Sequence, residues 1–319
     1  MSLLSRQVAS LNSLLSRLVT IAVALILPLS HAQADGYDIY LYSLTAPTAD
    51  QPNWEVSQEP TAITQRAGYD NQASFSPDSQ AVVFASNRGN SDGFTDIYQY
   101  EIATGKHTQL TDTANRGEFS PQWNQDQLTY VVEQGIPHQS VWQQGPNQAE
   151  TRLINSFIPA GYYAHNPKLG TLIWARYAYS LYFEPTNEQA DERHFVVSNA
   201  GRSIHAMPNG QQFSYLHKQT DGDWVIKAFD PLKQSHQDII ALTGGSEDYA
   251  WSQNGWLFNM YNNELRVAQY QGMPLSQWQT LAQLTPPTAK HHTPSRLSIS
   301  PNGQYLTVVW HRHATNHQQ

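Results

Sequence analysis

The 319-residue chain contains no cysteine. Disulfides, thiol nucleophiles, thiolate metal ligands and lipid attachment behind an export signal are therefore excluded. Charge is scarce as well: Asp, Glu, Lys and Arg make up 14% of the residues, with a formal balance of −8. No basic run stands out, and an acidic surface does not attract a polyanion, so nucleic acid is not an expected partner. No glycine-rich phosphate loop or amphipathic helix is present. Gly244-Gly245-Ser246-Glu247-Asp248 lacks the second glycine of a serine-hydrolase elbow, and Ser246 has no His and Asp at a matching spacing. Long apolar runs are limited to residues 18–28 (LVTIAVALILP), shorter than the roughly 20 residues that span a bilayer.

That run has the layout of an export signal. Arg6 and Arg17 precede it, and Ala32-Gln33-Ala34 follows as a small-x-small cleavage site. The expected organisation is a signal peptide over 1–34 and one domain over 35–319. The expected location is the periplasm or the exterior, with no stable transmembrane segment after cleavage. Without disulfides, the exported domain must hold together by its core and sheet topology alone.

Tyr (17) and Trp (9) are abundant, as suits β structure. One segment recurs: an apolar anchor, a short polar turn, then a hydrophobic strand. The anchors are Phe75, Trp123, His165, Ala206, Trp251 and Ile299, spaced 41 to 48 residues apart. The turns include Pro77-Asp78, Pro208-Asn209-Gly210 and Pro301-Asn302-Gly303. Proline presets φ for turn entry, and Asn and Gly tolerate positive φ. The following runs (AVVFAS, LTYVVE, TLIWAR, FSYLHK, WLFNMY, YLTVVW) mix branched and aromatic residues as buried strands do. A third strand follows in most units, as in Asp96-Ile97-Tyr98-Gln99-Tyr100, and an outer strand ends in Leu-Thr, as in Gln109-Leu110-Thr111. Four short antiparallel strands per unit make a propeller blade.

The ends of the chain predict closure. Asp38-Ile39-Tyr40-Leu41-Tyr42 copies the third strand and Thr61-Ala62-Ile63-Thr64 the outer one, whereas the C-terminus stops at a second strand. The N-terminal strands should complete the last blade. The fold class is all-β: a six-bladed propeller with its amino end paired to its carboxyl end, leaving no open sheet edge.

Residues 71–112 carry a family resemblance: Ser74-Phe75-Ser76-Pro77-Asp78, Val83-Phe84-Ala85-Ser86-Asn87-Arg88-Gly89, Asp96-Ile97-Tyr98, Thr104-Gly105-Lys106 and Gln109-Leu110-Thr111. This resembles the repeat of TolB-type six-bladed propellers, and weaker copies extend it over about residues 37–313. No counterpart of the N-terminal α/β domain of TolB is expected, because the signal leads almost directly into the strand at Asp38, and that domain's partners are not expected to transfer. The resemblance implies a binding module that receives an envelope protein or peptide at its channel mouth.

Loops entering the innermost strands, and loops between second and third strands, gather at that mouth. The candidate binding residues are Arg66, Tyr69, Asp70, Asn87, Arg88, Arg116, Glu118, Tyr162, Tyr163, Arg202, His205, Asp248, Tyr249, His292 and Arg296. Tyr, Arg, His and carboxylates together have the composition of a binding surface. Asp78, Asn87 and Arg88 also belong to the repeat as turn and loop formers. No catalytic residue, metal site or cofactor is assigned. Two alternatives stand beside the binding module. One is a metal-assisted lyase or lactonase acting on a sugar or lactone, with calcium held by Asp70, Glu118, Glu247 and Asp248, or another metal by His311 and His313, which share a face if that segment is a strand. The other is a scaffold without a ligand.

Overall fold

The computed structural model describes residues 35–313 except 52, 90–92, 136–137, 146–148, 187–192, 220–223 and 244. The expected signal segment and its cleavage site lie outside the described residues. Among the described residues every regular element is a strand, and no helix is long and apolar enough to cross a membrane.

The chain opens with β1 (Gly36–Thr45) and two short pieces, β2 (Glu55–Val56) and β3 (Thr61–Ala62). Five complete sheets follow. The first holds β4 (Asp70–Phe75), β5 (Ala81–Ser86), β6 (Asp96–Glu101) and β7 (His107–Gln109). The second holds β8 (Gly117–Asn124), β9 (Gln127–Glu133), β10 (Gln139–Gln144) and β11 (Glu150–Arg152). The third holds β12 (Ala160–Asn166), β13 (Gly170–Ala175), β14 (Ser180–Pro185) and β15 (His194–Val197). The fourth holds β16 (Ala200–Ala206), β17 (Phe213–Lys218), β18 (Trp224–Asp230) and β19 (Ser235–Leu242). The fifth holds β20 (Tyr249–Trp251), β21 (Trp256–Tyr261), β22 (Glu264–Gln269) and β23 (Gln279–Gln283). Each pairs in sequence order. Two strands remain, β24 (His291–Ile299) and β25 (Tyr305–Arg312), and β1 is their third, paired with β25 from Gly36 opposite Arg312 to Ser43 opposite Tyr305. β2 and β3 both pair with β1 on its outer side. The result is the expected six-bladed, closed all-β propeller.

Each blade is sandwiched between two others, which explains why the second strands read as unbroken apolar runs: all six residues of β5 are buried. β1 shows the same logic with period 2. Ile39 and Leu41 pack with Phe75, Val82 and Phe84 of the first complete blade. Tyr40, Tyr42 and Leu44 pack on the opposite side with Phe258 and Leu265 of the fifth. One strand thus fastens both flanks of the seam.

The repeated turn works through its first polar side chain. Ser76 Oγ accepts from the Ala81 N–H at 2.9 Å and donates to Asp78 Oδ1 at 2.6 Å, and Asp78 Oδ1 also accepts from the Gln80 N–H at 3.0 Å. Ser300, Asn302 and Tyr305 repeat the arrangement in the last blade. The two turns touch across the seam, where the Asn302 N–H donates to Ser79 Oγ at 3.1 Å. Asp78→Ala should lower stability by about 1 kcal/mol, the net worth of such bonds at an exposed turn. A urea midpoint unchanged from wild type would contradict this role.

The Leu-Thr ending differs from expectation in detail. β7 stops at Gln109 and β23 at Gln283, ahead of that dipeptide. In the first complete blade the dipeptide clasps the third strand instead: Thr111 Oγ1 accepts from the Ile97 N–H at 2.8 Å. Thr64 Oγ1 does the same for Ile39 at 2.8 Å. The hydroxyl satisfies a backbone donor where the ladder has ended.

Candidate functional site: the axial channel

With the six copies aligned on their anchors, the residue three positions earlier is Gln72, Ser120, Tyr162, Ser203, Asp248 or Arg296. All six line one cavity of about 340 Å³, walled by the innermost strands β4, β8, β12, β16, β20 and β24. Gln122, His165, Arg202 and His205 line it too. The backbone explains this convergence. Pairing slips by bulges between Asn71 and Ser74, Phe119 and Gln122, Ala160 and Tyr162, Ala200 and Ile204, and Ser295 and Leu297. A bulge breaks strict alternation and re-aims a side chain. Gln72, Ser120 and Arg296 sit in these bulges with φ of 59°, 51° and 47°. Such values are costly for non-glycine residues and persist only where the surroundings fix them.

Charge in the cavity comes from three side chains. Arg202 donates through Nη2 to Asp248 at 2.6 Å and through Nη1 to Glu247, which also meets Lys218 at 2.8 Å. Arg296 lies 3.8 Å from Asp248, donates through Nη2 to the Tyr162 hydroxyl at 2.8 Å, and places its guanidinium 4.9 Å from the Tyr162 ring centre. Burial would raise the Asp248 carboxyl, but Arg296 and Arg202 outweigh it and hold it below the ordinary range. Burial opposes the Arg296 charge, and Tyr162, Asp248 and Tyr69 together more than restore it. Two guanidinium groups thus share Asp248.

One nucleophile–base contact exists in the cavity: Ser203 Oγ is 3.1 Å from His205 Nε2. Burial pushes His205 down to about 4, and the backbone of Tyr249, not a carboxylate, bonds its ring. Ser203 Oγ is itself held between the Tyr249 carbonyl and N–H, both at 3.3 Å. A base that weak, without an orienting carboxylate, does not activate a serine at neutral pH.

The other candidate residues fall into separate clusters. Arg66, Tyr69, Asp70, Asn87 and Arg88 build the loop that closes the first complete blade. Arg66 donates to Asn87 Oδ1 at 2.6 Å, Tyr69 N–H donates to the same oxygen at 3.0 Å, and Ser86 Oγ donates to the buried Asp70 at 2.5 Å. Gly68 (φ 125°) allows this knot, since a Cβ there would lie 2.6 Å from both Arg66 and Asn87. Arg88 covers Tyr98 at 5.1 Å. Arg116 joins buried Glu118 at 2.9 Å and Glu150 at 2.5 Å, away from the cavity. Tyr163 and Tyr249 form wall, but their hydroxyls point into neighbouring blades, onto Thr129 at 2.7 Å and Ser214 at 2.9 Å. His292 lies at the seam, stacked on His313 at 3.7 Å and edge-on to His311 at 4.7 Å. Asp70, Glu118, Glu247 and Asp248, the carboxylates expected as calcium ligands, are each matched by arginine. Among the described residues no three His, Asp or Glu side chains are arranged to hold a metal ion.

Of the candidates, then, Tyr162, Tyr163, Arg202, His205, Asp248, Tyr249 and Arg296 share the channel. Gln72, Ser120, Gln122, Ser203 and the repeat anchor His165 share it without being among the binding candidates.

No protein-family model matches the chain. No curated protein matches it by sequence. Solved structures match it by fold. A TolB candidate from Agrobacterium tumefaciens superposes with a TM-score of 0.61 at 11% identity, covering 87% of this chain and 99% of that one. TolB from Acinetobacter baumannii gives 0.54 at 11% identity over 88% of this chain, and only 64% of that protein is spanned. A gluconolactonase from Xanthomonas campestris gives 0.52 at 13% identity, covering 85% and 94%. The chain is a six-bladed β-propeller, similar in fold both to TolB and to a lactone-acting enzyme.

Proposed function

We propose that this chain is an exported, periplasmic or secreted, binding module that receives an envelope protein or peptide at its channel mouth. The observation behind this reading is the convergence of one side chain from every blade on a single cavity, three of them on strained backbone. Strain concentrated at a cavity is a mark of ligand sites. The third blade adds a second support. Phe157, Tyr177 and Tyr179 are 85%, 53% and 61% exposed. All three lie in loops at the end of the blade where β12 begins and β13 ends, and Tyr177 and Tyr179 share a wall with Tyr162. Exposed aromatics flanking a polar cavity are suited to anchoring a partner. The calcium form of the metal-assisted alternative is disfavoured by the arginine beside each carboxylate it would use.

The test is affinity capture from envelope extract, comparing wild type with a Tyr162→Ala, Arg296→Ala variant and with Leu232→Ser as a remote surface control. A partner retained by wild type and the control should fall at least tenfold on the channel variant. Equal retention by all three would overturn the reading.

A further inference from the structure

We infer that the ligand group seated in the channel is a carboxylate. This rests on the binding-module reading and names the chemistry that the module recognises.

The first argument is charge. Arg202, Arg296 and Asp248 are the charged residues lining the cavity, giving an excess of one positive charge inside a protein whose overall balance is −8. The histidines do not alter this at neutral pH, because burial pushes both His165 and His205 down to about 4. A cavity of that sign favours an anion, and low-dielectric walls strengthen the preference.

The second argument is the inventory of hydrogen-bonding groups without protein partners. Three buried polar side-chain atoms of the cavity lining lack one: Arg202 Nε, Ser120 Oγ and Trp123 Nε1. Arg202 Nε can only donate, and a serine hydroxyl can donate. Ser120 is 7% exposed and is fixed by its bulge with φ of 51°. Its N–H is already occupied, donating to Gln72 Oε1 at 2.8 Å. Tyr162 OH accepts from Arg296 and so keeps its own proton to donate. A buried donor left unmatched costs free energy. The group that takes the Tyr162 proton and meets the excess charge of Arg202 and Arg296 together is an acceptor-only anion, and arginine recognises carboxylates in that way.

The third argument is size. A cavity of about 340 Å³ is at the small end for ligand sites. It holds a side chain or a chain terminus, not a folded surface. The remaining contacts of a protein partner would fall on the rim, where Tyr177 and Tyr179 stand.

The carboxylate can belong to a chain terminus or to an acidic side chain, and one experiment separates them. Soluble N-acetylated hexapeptide libraries are prepared in four forms: free or amidated C-terminus, each with or without Asp and Glu. Retention on immobilised full-length protein is measured for wild type, Arg296→Gln and Arg296→Lys, each first shown to be folded by its cooperative melt. The two forms that carry a carboxylate of the favoured kind should be retained at least tenfold above the amidated, acid-free form. Dependence on the free terminus alone identifies the terminus, and dependence on Asp and Glu alone identifies the side chain. Arg296→Gln should lose about tenfold, Arg296→Lys should lose less, and raised salt should weaken wild-type binding. Equal retention of the amidated, acid-free form would overturn the carboxylate while leaving a binding module. No retention of any form would overturn both.

Discussion

Replacing Asp38 with alanine should destabilise the propeller by about 3–5 kcal/mol, the usual cost of removing one partner from a buried ion pair. Asp38 is fully buried (0% exposed) on β1, and Arg312 is 1% exposed at the end of β25. Arg312 Nε donates to Asp38 Oδ2 at 2.7 Å, and His291 Nε2 from β24 meets the same oxygen at 3.0 Å. Asp38 Oδ1 accepts from the Arg66 N–H at 3.2 Å, and Arg312 Nη2 reaches the Arg66 carbonyl. One carboxylate therefore joins the first strand, the last strand, the inner strand of their blade and the loop into the next blade. Alanine removes the carboxylate that Arg312 and His291 share inside an apolar seam. In a chain of this size the loss corresponds to a fall of roughly 10 °C in Tm. Asp38→Ala combined with Arg312→Met should recover part of the loss, because the guanidinium that faced the carboxylate is then removed from the seam as well. Denaturant unfolding of the three proteins checks this. A loss below about 1 kcal/mol in the single variant would mean that the apolar faces of β1 hold the seam unaided.

The seam shows what the sequence made legible. Asp38-Ile39-Tyr40 resembles Asp96-Ile97-Tyr98, and both prove to be third strands. Repetition exposed the number of blades and the closure, because each copy reports the same local physics: a turn that needs special φ and a strand buried on two sides. The division of labour among the polar residues was harder to read. Arg66, Asp70, Asn87 and Arg88 look like a binding cluster, yet they satisfy one another inside a loop. Arg116 and Glu118 do the same. Composition cannot distinguish an arginine that faces solvent from one that neutralises a buried carboxylate, since both follow the entry to an inner strand. Gln72, Ser120 and Ser203 were passed over for the opposite reason. They are uncharged and lie within strands, and the bulges that turn them to the axis leave no residue-type signature. Their signal was positional: the same offset from the anchor in every copy, visible once the repeats are stacked.

The channel wall also sets the response to acid. Stability should fall as pH drops below about 6.5 and go on falling toward about 4. Burial pushes His165 and His205 from 6.5 down to about 4. In the unfolded chain both regain the ordinary value, so between those limits the unfolded state binds more protons than the folded state. Stability is then complete above pH 6.5 and is lost as the pH falls. Each histidine should contribute a loss of about 2 kcal/mol between pH 7 and pH 5. His107, His217, His236 and His292 are lowered as well and act in the same direction. Asp70, Asp96 and Glu118 are raised by burial and offset part of the loss toward the acid end. His165 faces Thr171 Oγ1 at 2.9 Å, while His205 faces Ser203 and Tyr249, with the Asp248 charge acting on it in the opposite direction to burial. Urea unfolding at pH 7, 6 and 5 measures the slope, and His165→Gln with His205→Gln should flatten it markedly. An unchanged slope in that variant would place the acid sensitivity elsewhere. A carboxylate seated beside His205 would favour the protonated ring and raise its pKa, so a bound ligand should blunt the acid loss in wild type and do so less in the double variant.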